Sequence, residues 1–436
     1  MLGLAIQHWT ELTDAQRNKL LQRPALADDF EVQTVVAEII ARVRSDGDAA
    51  LAALHEEFTG NRLESFSVDT SEIAAAGDKL TRAQRVAIES AAGNIEEFHA
   101  AQMPVDIEVD TAAGVRCERV TRPIPRVGLY VPAGSAPLPS TALMLAVPAR
   151  IAQCRLRVLC SPAQADGRVA PAVLYAAQLC EIEHVFAIGG AQAIAAMAYG
   201  TQSVPAVDKV FGPGNAFVTA AKAQVSSDAD GAAQDMPAGP SEVMVIADAT
   251  ADAEFVAADL LSQAEHGPDS QTMLITESSA LAEQVAIALE RQLQALTRRE
   301  IAAAALGHSL AIVVDNLDTA MDVANQYAPE HLIIQVAEPR GWLPRIQSAG
   351  SVFLGPWAPE SVGDYCSGTN HVLPTYGYAR SYSSLGLSDF MRSMTVQELD
   401  PTGIRTIGPL AVELAELEGL DAHAKAVTLR LAALED

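Results

Sequence analysis

The sequence has few cysteines, few basic residues and no long apolar run, and each shortage narrows the functions open to it. No two of its five cysteines are spaced as CxxC; they are Cys117, Cys154, Cys160, Cys180 and Cys366. Scattered thiols of this kind are typical of reduced, mostly buried cysteines in a cytoplasmic protein, and they argue against a disulfide or thiolate–metal framework. Cys366 lies in a polar glycine-rich segment and is the one candidate nucleophile, although an inert thiol is the simpler interpretation.

Basic residues are outnumbered, since 29 Lys and Arg face 55 Asp and Glu and the net charge is −26. This balance disfavours nucleic acid or an anionic membrane as a partner, and a solubilising acidic surface explains it most simply. No segment approaches about 18 consecutive apolar residues. The first residues also lack the basic start and apolar stretch of a signal peptide. We therefore expect a cytoplasmic protein without a membrane span.

The composition, with 49% apolar and 19% charged residues in a chain of 436, predicts two to four compact, well-packed units. Apolar spacing predicts helices at residues 35–43, 49–58, 71–76 and 82–99, and paired strands at residues 107–121. Short apolar strands then alternate with helices, which predicts parallel sheets with right-handed crossovers. These strands are expected at residues 127–131, 155–159, 184–188, 208–211, 241–246, 272–275, 310–314, 332–335 and 351–354.

We predict an α/β protein with two Rossmann-like parallel-sheet domains, a small N-terminal arm and a C-terminal tail. The tail is expected to be helical, with no strand to join either sheet. The predicted boundaries are 1–24 for the arm, 25–129 with 241–385 for the first α/β domain, 130–240 for the second, and 386–436 for the tail.

Three loops rich in Gly and Pro follow predicted strands, around Tyr130, Gln192 and Asn215. Ligands bind at the carboxyl ends of strands in open α/β sheets, where small residues allow close approach. An aromatic ring and two amides suit a nucleotide. The GxGxxG fingerprint is absent, however, so tight turns without a ligand remain the alternative.

Other polar residues recur beside predicted helix and strand ends. Gln263 and His266 share one face at the end of a helix and can converge on a metal ion, although a His there often only caps the helix. Glu330 and His331 precede an apolar strand and suit paired proton transfers, with a solvated turn as the alternative. Asp364 is a candidate oxygen ligand in a glycine-rich loop. His423 lies in the first turn of a last helix for which Asp421 is the expected N-cap.

Long motifs built on these residues resemble the histidinol dehydrogenase family over nearly the whole chain. They are Gly128-Leu-Tyr-Val-Pro, Phe211-Gly-Pro-Gly-Asn-Ala-Phe-Val-Thr, Asp235-Met-Pro-Ala-Gly-Pro-Ser-Glu-Val, Leu261-Ser-Gln-Ala-Glu-His-Gly-Pro-Asp-Ser, Ala328-Pro-Glu-His-Leu and Ser367-Gly-Thr-Asn-His-Val-Leu-Pro-Thr.

The resemblance implies an NAD-dependent enzyme, with incomplete doubly wound domains like those of aldehyde dehydrogenases. It implies one zinc ion per subunit, held by Gln263, His266, Asp364 and, from the other subunit of a homodimer, His423. These nitrogen and oxygen ligands alone would suit cobalt or manganese equally well. The implied NAD contacts are Tyr130, Gln192 and Asn215. The implied substrate contacts are Ser241, Gln263, His266, His331, Asp364, Glu418 and His423.

The implied reaction is the four-electron oxidation of L-histidinol to L-histidine through L-histidinal, with two NAD+. His331 is expected to be the general base, Glu330 to activate water, and zinc to anchor the substrate. Metal, substrate and catalytic residues would belong to the first α/β domain and the NAD loops to the second. Two other classes remain: a metal-dependent hydrolase, which would need no nucleotide loops, and an inactive binding protein, which should have lost one of these residues.

Overall fold

The computed structural model describes residues 4–23, 30–62, 65–133, 137–237 and 239–435. The chain folds into two compact units. The larger comprises Met1–Ala101 and Pro125–Leu387, and the smaller comprises Gln102–Ile124 and Ser388–Asp436. Two units agree with the expectation from length. The finer division into an arm, two α/β domains and a tail stays a prediction, and its boundary between residues 24 and 25 lies outside the described residues.

A six-stranded, fully parallel sheet forms one part of the larger unit. Its strands are β1 (Ala5–His8), β9 (Glu242–Ala247), β10 (Gln271–Thr276), β11 (Leu310–Val313), β12 (His331–Gln335) and β13 (Ser351–Leu354). They lie in the order β1-β11-β10-β9-β12-β13. The middle strands β9 to β12 are buried along their whole length, as expected for parallel strands covered on both faces. Strand β1, which the apolar pattern did not predict, shows that the N-terminal arm joins this sheet.

A five-stranded parallel sheet forms the other part, in the order β6-β5-β4-β7-β8. Its strands are β4 (Arg126–Tyr130), β5 (Leu156–Cys160), β6 (His184–Phe186), β7 (Lys209–Phe211) and β8 (Ala233–Gln234). All except the two-residue β8 were predicted. The N-terminal helices share the core of this sheet, where Val36, Leu51, Ile194 and Val218 belong to one buried apolar cluster.

The helices of the larger unit confirm the four that the periodicity predicted. They are α1 (Asp14–Leu20), α2 (Phe30–Asp46), α3 (Asp48–Thr59), α4 (Thr70–Ala74), α5 (Arg82–Ala100), α6 (Pro139–Ile151), α7 (Pro171–Leu179), α8 (Gly190–Tyr199), α9 (Ala216–Ser227), α10 (Ala253–Ala264), α11 (Ser279–Leu293), α12 (Arg299–Leu306), α13 (Leu317–Tyr327), α14 (Pro339–Trp342) and α15 (Glu360–Tyr365). Within the described residues, none of the helices has the length and apolar character needed to span a membrane.

The smaller unit contains a three-stranded antiparallel sheet, β14-β3-β2, and two helices. The elements are β2 (Ile107–Ala112), β3 (Val115–Pro123), β14 (Met391–Leu399), α16 (Pro401–Leu417) and α17 (Asp421–Ala432). Strands β2 and β3 are the predicted pair. The prediction that the tail is wholly helical is wrong, because β14 pairs with β3 over nine residues. That pairing satisfies the backbone groups of β3 that β2 leaves open, which no local pattern reveals.

The start of α17 also differs from the prediction. Leu420 occupies the N-cap position without a side-chain capping bond, and Asp421 is the first helical residue. An acidic residue in the first turn still stabilises a helix through its dipole. His423 lies in the first turn of α17, as predicted.

Candidate active site

The candidate active site lies at the amino-terminal ends of β9 and β12. These strands are parallel neighbours, with His331 beside Val243. Glu330 and His331 stand at the start of β12, and Ser241 and Glu242 stand at the start of β9. The acid–base pair therefore flanks an apolar strand as predicted. Glu330 and His331 therefore lie at the amino-terminal edge of the six-stranded sheet. Tyr130, Gln192 and Asn215, by contrast, lie at the carboxyl ends of strands in the five-stranded sheet.

Glu330 and His331 are buried and are both bonded to the main chain of Glu242. Oε2 of Glu330 accepts the Glu242 N–H at 2.8 Å, and Nδ1 of His331 lies 3.0 Å from the Glu242 carbonyl oxygen. A carbonyl only accepts, so Nδ1 carries a hydrogen in either charge state of the ring. Nε2 is thus the nitrogen that gains or loses a proton, and it lies 3.4 Å from Oδ1 of Asp364.

The surroundings shift the pKa values of the Glu330 carboxyl group and the His331 imidazole. Burial raises the pKa of Glu330 to about 8, although His331 and the Glu242 N–H oppose that effect. Burial lowers the pKa of His331, but the carboxylates of Glu330, Glu360 and Asp364 outweigh it and raise that pKa well above its usual value. A buried carboxyl group with a pKa of about 8, next to an imidazole whose own pKa is raised, is suited to acid–base catalysis.

Gln263 and His266 lie at the end of α10. The amide of Gln263 is fully buried, and neither its oxygen nor its nitrogen has a hydrogen-bond partner among the described residues. Nδ1 of His266 lies 2.9 Å from the carbonyl oxygen of Ser262, which leaves Nε2 to face a ligand. A buried polar group without a partner requires an explanation, and a bound metal or substrate would supply one here.

Asp364, on α15, is the third candidate ligand. Burial alone would raise the pKa of its carboxyl group, but His331 lowers it, with smaller effects from His371 and His266, and the net pKa lies below the usual value. The group is therefore an anionic oxygen donor close to those imidazoles. Within the described part of the chain no three His, Cys, Asp or Glu side chains could hold a metal together. A site built on His266 and Asp364 would thus include the amide of Gln263 as a further donor.

Two buried acids in this region were missed from the sequence. Glu360 opens α15 with both oxygens unpartnered in the described structure, and burial, reinforced by the Asp364 carboxylate, raises its pKa well above the usual value. Asp259 accepts a 2.6 Å hydrogen bond from Gln335, and burial raises its pKa to about 7. Glu360 and Asp259 each precede a predicted ligand, Asp364 and Gln263, by four residues on one helix. This i, i+4 spacing from a predicted ligand was the sequence feature that could have revealed both acids.

The described residues of the three predicted nucleotide loops form hydrogen bonds of their own. The ring of Tyr130 is buried, and its hydroxyl accepts the Gly190 N–H at 3.0 Å, so it joins two of the loops. Gln192 is buried in the first turn of α8. Asn215 is exposed and caps α9, accepting the Val218 N–H at 3.1 Å. The aromatic ring proposed to suit a nucleotide is therefore not open to solvent, and the contact of Tyr130 with NAD stays a prediction.

The third loop brings two backbone segments into close contact at Gly212. Its φ is +121°, and a Cβ there would lie 2.1 Å from the carbonyl oxygen of Tyr130. The Gly212 N–H donates to Asp235 and its carbonyl accepts from Lys222, each at 2.8 Å. Only glycine fits this position. The loop after Tyr130 continues through residues 134 and 135, which lie outside the described residues.

Glu418 and His423 belong to the smaller unit, and both are exposed. Glu418 follows α16 and His423 lies in the first turn of α17. The same part of the chain carries an exposed apolar stripe on α16, formed by Leu410, Leu414 and Leu417. Their spacing of four and three residues places these leucines on one helix face. Large exposed apolar faces of this kind are typical of protein interfaces.

Two open parallel sheets with a buried carboxyl–imidazole pair define an α/β enzyme equipped for proton transfer. Comparison with known proteins specifies it further, because the histidinol dehydrogenase family model matches residues 21–431. The chain belongs to the histidinol dehydrogenase family.

Individual relatives agree with this assignment. The histidinol dehydrogenase of Vibrio vulnificus is 57% identical over 423 residues, 97% of each chain. That of Xylella fastidiosa is 56% identical over 428 residues, covering 98% of this chain and 99% of the relative. The crystal structure of histidinol dehydrogenase from Elizabethkingia anophelis superposes with a TM-score of 0.95 at 44% identity and covers 99% of both chains. The chain is therefore an NAD-dependent oxidoreductase that oxidises histidinol in histidine biosynthesis.

Proposed function

We propose that this chain oxidises L-histidinol to L-histidine through L-histidinal with two NAD+, and that His331 is the general base of both oxidations. The supporting observation is the bond from Nδ1 to the Glu242 carbonyl, which leaves Nε2 as the atom that changes protonation. In each oxidation the carbon gives a hydride to NAD+ while the attached hydroxyl gives its proton to Nε2. A base positioned in this way contributes about 10²–10⁴ in rate.

Glu330 is proposed to activate water between the two oxidations. L-histidinal must add water at its carbonyl carbon before it can lose a second hydride. With a pKa raised to about 8, Glu330 exists in both charge states near neutral pH. Its anion can therefore take a proton from water, and its acid can return one.

Gln263, His266 and Asp364 are proposed as zinc ligands, with the partner subunit's His423 as the fourth. An amide without a partner among the described residues, an imidazole fixed through Nδ1 and an anionic carboxylate fit such an ion. When bound, the ion supplies positive charge and coordination sites that anchor the imidazole and amino groups of histidinol. Substrate contacts are proposed for Ser241, Gln263, His266, His331, Asp364, Glu418 and His423.

The NAD contacts are proposed at Tyr130, Gln192 and Asn215. Their support is the position of these residues at the carboxyl ends of β4, β6 and β7, where the bond from the Gly190 N–H to the Tyr130 hydroxyl links two of the loops. Loops of this kind suit a dinucleotide because small residues let it approach the backbone.

A homodimer that shares its active sites is also proposed. Its support is the exposure of Glu418 and His423 beside the leucine stripe of α16, which a second copy would bury. The cytoplasmic location expected from the sequence likewise stays a prediction.

The reaction is tested by following the absorbance of reduced nicotinamide. Each L-histidinol should yield two NADH and one L-histidine in the presence of the metal. Release of one NADH with accumulation of L-histidinal would contradict the four-electron proposal. A metal-dependent hydrolase would form no NADH at all.

A further inference from the structure

The main chain of Glu242 holds both members of the proposed acid–base pair. Its N–H donates to Oε2 of Glu330 at 2.8 Å, and its carbonyl oxygen lies 3.0 Å from Nδ1 of His331. The orientation of the imidazole and the carboxyl group therefore depends on how firmly this one residue is held. A displacement of Glu242 would move both side chains together.

The side chain of Glu242 is held by Arg23, far away in the sequence. Nε of Arg23 donates to Oε1 of Glu242, and a terminal nitrogen donates to Oε2 at 2.8 Å. The two side chains are only 9% and 3% exposed. The guanidinium lies 3.8 Å from the ring centre of Tyr327, and Oε1 also accepts the Tyr376 N–H at 3.1 Å. This is a two-pronged, stacked and buried ion pair, a geometry available to arginine and not to lysine.

Arg23 also contacts the segment that leads into the pair. The same terminal nitrogen donates to the carbonyl oxygens of Tyr327 at 3.0 Å and Ala328 at 3.3 Å. Ala328 has a φ of +56°, a left-handed conformation that is unfavourable for alanine and must be maintained by its surroundings. Only Pro329 separates Ala328 from Glu330. Arg23 thus secures the Glu330–His331 segment through its preceding carbonyls as well as through Glu242.

We propose that Arg23 is a positioning residue for this reaction, which fixes Glu330 and His331 through Glu242 and through the carbonyls of Tyr327 and Ala328. Its side-chain hydrogen bonds go to Glu242, Tyr327 and Ala328, so it acts through other residues. The proposal rests on the roles given above to Glu330 and His331. It also gives the N-terminal segment a function beyond adding strand β1 to the sheet.

The test is Arg23→Lys, which keeps the buried charge but loses the two-pronged bond and the stacked plane. Misplacement of catalytic groups by about 1 Å costs roughly 10² in rate, so we expect kcat to fall by about 10- to 100-fold. KM for histidinol, KM for NAD and metal content should change little. If this variant does not fold, Arg23→Met with Glu242→Leu removes both charges together and avoids an unpaired buried charge.

Arg17→Lys is the matched control. Arg17 lies in the same N-terminal segment, stacks over Trp9 at 5.1 Å, donates to the Trp9 carbonyl at 3.1 Å and pairs with Asp14 at 3.3 Å. Among the described residues, no hydrogen bond or ion pair of Glu330 or His331 involves Trp9 or Asp14, so the kcat of Arg17→Lys should equal that of the wild type.

A double-mutant cycle separates positioning from general stabilisation. In the His331→Asn background, Arg23→Lys should cost little further rate in histidinol oxidation, because His331, the group that it positions for that step, is gone. An unchanged kcat in the Arg23→Lys variant would overturn the proposal. It would also be overturned if Arg23→Lys lowered kcat by the same factor in both backgrounds and metal content and affinity for histidinol fell in parallel. Wild-type rates in His331→Asn alone would instead contradict the proposed function, whatever Arg23→Lys does.

Discussion

Replacing Glu330 with Gln should remove part of a pH dependence of folding stability in the metal-free protein. Burial raises the pKa of Glu330 from 4.5 to about 8. The folded state therefore keeps a proton that the unfolded state releases above about pH 4.5. The stability linked to that proton is fully present below about pH 4.5 and is lost as the pH rises through about 8.

The size of the effect follows from the shift. At 1.36 kcal/mol for each pKa unit, it corresponds to an upper limit of about 5 kcal/mol, which is comparable with the whole stability of many domains. Gln has the same shape and can still accept the Glu242 N–H that Oε2 accepts at 2.8 Å. It does not titrate, so the Glu330-linked loss should disappear while the local hydrogen bond remains.

Urea unfolding of the chelated protein, repeated from about pH 5 to about pH 9, measures this difference. His331 also has a raised pKa and loses stability in the same direction, and because the Glu330 carboxylate helps to raise that pKa, its part of the loss should also shrink in the variant. The informative quantity is therefore the difference between the two profiles. Glu338→Gln, which changes an exposed acid beyond the end of β12, should keep the wild-type profile. Parallel profiles for wild type and Glu330→Gln would refute the raised pKa of Glu330.

Four further outcomes are expected. His331→Asn should slow the oxidation of both histidinol and histidinal by about 10²–10⁴, followed as NADH formation from each substrate. Glu330→Gln should slow histidinal oxidation more than histidinol oxidation, and an equal or greater loss in the alcohol step would contradict its role with water. Chelation should abolish activity without changing the circular dichroism spectrum, and His266→Asn should weaken metal retention and raise the KM for histidinol; full activity without metal would reject the ligand set. Mixed dimers of inactive His266→Asn and His423→Asn chains should regain about one active site per hybrid if the tail completes the partner's site, whereas sites formed within one chain would stay inactive.

Much of the larger unit could be predicted from the sequence because buried parallel strands are short continuous apolar runs. Strand β9 (Glu242–Ala247) and strand β12 (His331–Gln335) are examples, and both are buried throughout. Strand β14 could not be predicted, because eight of its nine residues are exposed and its polar pattern carries little signal. Its conformation is decided by pairing with β3, which is remote in the sequence.

The candidate site likewise contains residues that could be predicted from the sequence and residues that could not. Polar residues beside apolar runs, such as Glu330 with His331 and Gln263 with His266, are visible in the sequence as interruptions of a pattern. Arg23 was not visible, because its importance comes from Glu242, a contact over 219 residues of chain. Glu242 itself looks like an ordinary strand residue until its main-chain bonds to the acid–base pair are seen.

The charges around His331 explain why its basicity should depend on what is bound. Glu330, Glu360 and Asp364 all act to raise its pKa in the metal-free protein. An imidazole held as a cation cannot accept a proton from a hydroxyl group. Positive charge from a divalent ion at Gln263, His266 and Asp364, and from the amino group of histidinol, would offset those carboxylates and lower the pKa of His331. The acidic cluster would then favour binding of the cationic substrate, and the filled site would release His331 to act as a base.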